Sequence, residues 1–143
     1  MKSALSCSAL LLLTACDAHQ DPQVAARQRE CGIEAAAWFK REHPEITQET
    51  VDGAIRTTQH SFQDLLSLDG HCHLIATEER SATYADRPAN GVIVRTLIDV
   101  RTGTVLGRVE SPWPAKEGAL VECQVAGHRC FSSQEWQSLA KDQ

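Results

Sequence analysis

The chain has 143 residues, 42% hydrophobic and 23% charged, which is the balance of a globular protein and enough for one ordinary domain. Lys and Arg number 14 against 19 Asp and Glu, a formal charge of −5, and that argues against nucleic acid as a partner because phosphate binding needs a basic face. Aromatic residues make up only 5%, so the core is expected to be mainly aliphatic.

At the N-terminus, Lys2 precedes the apolar run Ala9 to Leu13 and the small pair Thr14-Ala15. This is the layout of a secretory signal peptide, too short to span a bilayer as a mature helix. Leu13-Thr14-Ala15-Cys16 resembles the lipobox of bacterial lipoproteins. The resemblance implies a signal peptide over 1–15, a diacylglyceride on the Cys16 thiol, and a lipidated tether over 16–21. Several acyl chains hold a protein stably where one binds only marginally. Asp17 resembles the inner-membrane retention signal of enterobacterial lipoproteins. No other stretch is long and apolar enough for a transmembrane helix.

Of the six cysteines, Cys7 leaves with the signal peptide and Cys16 carries lipid, so Cys31, Cys72, Cys123 and Cys130 remain. An even set in an exported domain reads as a disulfide framework with three possible connectivities. Cys123 and Cys130 enclose a short segment with Gly127 as a turn former, and closing that loop locally costs least. Cys31 is then left to Cys72, stapling a helix to a strand. Zinc held by these thiols is disfavoured because no Cys-x-x-Cys pair occurs.

Asp21-Pro22 is a helix start, with Asp as the cap and Pro at the first helical position. Val24, Cys31, Ala35, Trp38 and Phe39 follow as an apolar stripe, with Arg27, Glu30, Glu34 and Lys40 off it. Pro44 should end this helix near His43. Thr47 to Ile55 is predicted as a short second helix capped by Thr47. Strands are expected over Thr57 to Phe62 and His71 to Thr77, and a hairpin over Gly91 to Val100 and Thr104 to Glu110, turning at Arg101-Thr102-Gly103. Ala119 to Val125 should be a further strand. Ser132 and Glu135 form a capping box, Phe131 and Trp136 stand at hydrophobic-staple positions, and Trp136, Leu139 and Ala140 make the buried stripe of a closing helix. The predicted fold is one α+β domain over 22–143: an N-terminal helix on a small antiparallel sheet of four or five strands, a short C-terminal helix, and two disulfides.

His71-Cys72-His73 is the best candidate for hidden chemistry. Alternate strand residues share a face, so His71 and His73 would present two imidazoles together while Cys72 turns inward to its disulfide. Two such ligands can begin a zinc or copper site, the third coming from His60, His128 or an acid. The plainer reading is a pair of solvated histidines. Glu78 and Glu79 are adjacent on a strand, point to opposite faces and cannot serve one substrate. No nucleophile motif and no phosphate loop occurs. In Pro112-Trp113-Pro114, two prolines hold a Trp in an extended segment expected to leave the strand near Glu110 and to stay polar through Lys116, Glu117 and Gly118. Trp113 should therefore be partly exposed, and Trp is the residue type most enriched at binding hot spots.

The order Cys31…Trp38-Phe39, Ser61-Phe62-Gln63…Cys72, Leu97-Ile98-Asp99…Gly107 and Cys123…Cys130-Phe131-Ser132-Ser133-Gln134-Glu135-Trp136 resembles a group of small, disulfide-containing bacterial exported proteins and lipoproteins. The likeness runs from Glu30 to Leu139 and departs from the group by a longer stretch between Phe62 and Cys72. It supports the disulfide reading and carries no catalytic residues. The sequence thus points to a lipid-anchored envelope protein that faces the periplasm and works by binding, without catalysis and without a cofactor. Its expected contacts are the membrane through Cys16 and an unidentified envelope protein, an inhibited enzyme or peptidoglycan. The alternative is a metal-binding or metal-sensing lipoprotein using His71 and His73.

Overall fold

The computed structural model describes residues 21–43, 46–67, 69–114 and 122–143. The signal peptide, the tether and Cys16 lie outside the described residues. Helix α1 spans Pro22–Glu42. The Asp21 carboxylate accepts the Gln23 amide at 2.8 Å, as a capping residue should. At the other end His43 is extended, its amide still donating to the Phe39 carbonyl at 2.9 Å.

Seven strands follow as an antiparallel meander, each beside its sequence neighbours: β1 Thr47–Val51, β2 Ala54–Leu66, β3 Cys72–Thr83, β4 Asn90–Asp99, β5 Val105–Trp113, β6 Glu122–Val125 and β7 His128–Arg129. Helix α2, Ser133–Lys141, closes the chain. The α+β class holds, but seven strands replace the expected four or five.

One reason is that Thr47 to Ile55 is not a helix. Val51 pairs with Ala54, and between them Asp52 and Gly53 both have positive φ, 51° and 76°. That is the two-residue hairpin turn whose twist matches the flanking strands. A second such turn, Ala126 and Gly127 at φ 47° and 81°, joins β6 to β7 and adds a strand of only two residues.

Helices lie on opposite faces of the sheet. On one, α1 covers Leu74, Ala76, Ile98 and Val100, with Ala35 fully buried. On the other, α2 sets Trp136 and Ala140 against Leu97, Val109, Val125 and the Cys123–Cys130 bridge. A bulge supports this second core. Leu97 pairs with Gly107 but Ile98 pairs with Val105, so Leu106 has no partner on β4.

Both disulfides pair as expected. Cys31–Cys72 ties α1 to the start of β3 with Cα atoms 5.3 Å apart, and Cys123–Cys130 closes the β6–β7 hairpin at 5.1 Å. The α2 cap is also formed, the Ser132 hydroxyl accepting the Glu135 amide at 3.0 Å. The staple is not. Phe131 is 81% exposed while Trp136 is buried at 1%. Trp136 turns into the sheet core, beyond the reach of Phe131, and the Glu135 carboxylate accepts the Phe131 amide at 2.7 Å.

Candidate functional site

β5 does not end at Glu110. It continues with Pro112 opposite Val92 and Trp113 opposite Gly91. Among the described residues β6 pairs only as far as Glu110, so the end of β5 has a strand on one side alone. Edge positions are where a sheet tolerates proline. The expected departure from the sheet is thereby corrected, and the continuation through 116–118 lies outside the described residues.

Trp113 ends a cross-strand row. Gly91 pairs with Ser81 and Ser81 with Thr57, so Thr57, Ser81, Gly91 and Trp113 share one face. A Cβ built at Gly91 would collide with the Arg80 carbonyl, so only glycine lets β3 and β4 approach so closely there. Trp113 is 36% exposed and, with Thr57, Gln59, Glu79 and Ser81, lines a shallow cleft of about 190 Å³. This is the face that α2 packs on, but α2 seats on the other half, over Leu97, Val109 and Val125. The Trp113 half lies outside the cluster that α2 covers. Glu78 points to the opposite face, as expected, and pairs with Arg80.

His71 and His73 do come together, their rings 6.4 Å apart and within 11° of parallel. They are not alike. His71 is exposed and its Nε2 lies 3.5 Å from the Asp69 carboxylate. His73 is only 3% exposed, between Leu65 on β2 and Asp99 on β4, and its Nδ1 has no hydrogen-bond partner among the described residues. Burial holds the His73 pKa below the ordinary imidazole value, with His71 adding to the effect and Asp99 and Asp69 opposing it. Burial also disfavours the Asp99 carboxylate, but the Thr102 and Arg101 amides it accepts more than offset that and keep its pKa low. The Ser67 hydroxyl does the same for Asp69. Among the described residues no group of three or more His, Cys, Asp or Glu is arranged to hold a metal ion. His60 meets His43 on the α1 side with the rings tilted by 34°, and His128 is exposed on β7.

Sequence reasoning missed the space beside α1. A cleft of about 700 Å³ runs between the helix and the sheet-end turns, lined by Arg27, Trp38, Arg41, His71, Cys72 and Arg101. On the helix's other flank a cavity of about 610 Å³ lies between Phe39, Lys40 and His43 and the strand residues His60 and Phe62. Phe39 packs against the core as expected, and its ring also meets that of Phe62, which is 37% exposed, at 4.7 Å and a tilt of 33°. The spacings Phe39/His43 and His60/Phe62 were the available signal, since they are i,i+4 on a helix and i,i+2 on a strand.

Compared with protein-family models, curated proteins and solved structures, the chain matched none.

Proposed function

We propose that this is a lipid-anchored cell-envelope protein, attached through Cys16 and facing the periplasm, whose domain binds another envelope protein as an adaptor or inhibitor and performs no catalysis. Asp17 favours the inner membrane. Two disulfides suit an oxidising, exported compartment.

The observation that carries the binding reading is the exposure of Trp113. A large amphipathic ring is held in a strand, over a row of small residues, on the half of a sheet face that α2 leaves open. Rigid aromatic rings of this kind give large contact area at little cost in conformational freedom.

The test is photo-crosslinking from position 59 in membranes, followed by quantitative capture with the purified partner. Trp113→Ala should weaken capture about thirtyfold, the expectation for a hot spot of roughly 2 kcal/mol, at an unchanged melting temperature. A large loss of stability with capture intact would make Trp113 a lid over the sheet and move the interface elsewhere. Cys16→Ser should leave an uncleaved or soluble chain; a variant that still matures and partitions with membranes would sink the anchor.

A further inference from the structure

We propose that the cavity between the C-terminal turns of α1 and the outer edge of β2 is a binding site for a small anionic amphiphile, a carboxylate on an aliphatic or aromatic body. Its volume of about 610 Å³ falls within the roughly 300–1,000 Å³ typical of small-molecule sites. Its wall is largely apolar, built on a run of rings. α1 brings Phe39 and His43 to one face, and β2 brings His60 and Phe62 to the face that meets them. The rings then follow one another, Phe62 to Phe39 at 4.7 Å, Phe39 to His43 at 4.9 Å, and His43 to His60 at 5.1 Å. Ile46 completes the rim at 64% exposure, so apolar surface faces water where a ligand's body would cover it.

The charge of the site selects the ligand's sign. Lys40 lines the cavity with the two imidazoles. Among the described residues, the two carboxylates whose charges act on His43 are each paired with an arginine, Glu42 with Arg41 at 2.7 Å and Glu78 with Arg80. In a chain of net charge −5, Lys40 thus sets a positive charge at the rim of a hollow that is largely apolar. Independently, the Nε2 of His43 is buried and has no hydrogen-bond partner among the described residues. Buried polar atoms are nearly always paired, and a small turn of the His43 ring toward the cavity would let a carboxylate oxygen supply the missing partner. A neutral hydrophobe would leave that atom unpaired, and a cation would be repelled by Lys40.

The test uses the full oxidised chain carrying Cys16→Ser, so that no acyl chain of its own competes. Titration calorimetry and imidazole NMR would follow dodecanoate, dodecyltrimethylammonium and acetate, all below their micellar concentrations. Dodecanoate should bind one to one and shift the His43 and His60 resonances, while the cationic surfactant and acetate should not bind. Lys40→Glu should weaken dodecanoate at least fivefold and Phe62→Ser at least tenfold. Both residues are at least partly exposed, and unchanged melting temperatures would show that the variants fold. No saturable binding of dodecanoate, equal binding of the cationic surfactant, or affinity untouched by both substitutions would overturn the site. The Trp113 surface stands or falls separately, because it lies on the opposite face of the sheet.

Discussion

Where α2 crosses the sheet, Trp136, Leu97, Val109 and Val125 are all at 1% exposure or less. Helix α1 is 21 residues long against 9 for α2, yet buries only Cys31 and Ala35. The difference lies in side-chain volume at the contact, not in helix length. α2 drives an indole into the sheet with a small Ala140 beside it, and the cleft on its flank, toward β2 and β3, is smaller at about 420 Å³. α1 rests on Ala35 and a disulfide, which hold it close at one line and leave clefts along both flanks. Both sides carry a buried core, and the wider clefts lie along α1.

The sharpest way to break this comparison is to truncate one Trp on each side. Trp136→Ala should cost about 3–5 kcal/mol, the usual range for a buried Trp, measured by chemical denaturation. Trp38→Ala on the half-buried α1 flank should cost clearly less. Equal losses would mean that α1 covers a core as dense as that under α2.

The bridges come next. In the chain-entropy model, removing Cys31–Cys72 as a double Ser variant should cost about 4 kcal/mol and removing Cys123–Cys130 about 2.5 kcal/mol, because the first closes the longer loop. Here the loose side should suffer more, since α1 has less packing to hold it once its staple is gone. A larger loss at the β6–β7 hairpin would reverse the order.

Acid should have a smaller, graded effect. His73 and His43 both have pKa values lowered in the folded state, first by burial. Each therefore takes up a proton on unfolding more readily than when folded. Their stabilisation is complete above the unfolded imidazole value of about 6.5 and is lost as pH falls below it towards the lower folded values. The melting temperature should drop between pH 7.5 and pH 5, and His73→Gln should make that drop shallower. A slope identical to wild type would remove His73 from the acid response. The smallest change in stability is expected at Trp113→Ala, within about 0.5 kcal/mol as for an exposed site.

Much of the framework could be read from local signals. Asp21-Pro22 and Ser132 with Glu135 mark helix starts because their side chains bond amides within a few residues, whatever lies beyond. The hairpin expected over Gly91 to Val100 and Thr104 to Glu110 is present as β4 and β5, because its β-branched alternation and its Arg101-Thr102-Gly103 turn are local signals. The helix expected at Thr47 to Ile55 was an avoidable error. Asp52-Gly53 is a strong hairpin signal, and it outranks the cap suggested by Thr47.

The sequence by itself determined the two helix starts, the α+β class and the cysteine pairing, because each depends on neighbours in the chain or on one short loop. Tertiary structure alone decided which histidine is buried, that Trp136 abandons Phe131 for the sheet, and that Phe39, His43, His60 and Phe62 form one wall. Those outcomes depend on which helix covers which half of which face, and periodicity reports a face without saying what, if anything, lies on top of it.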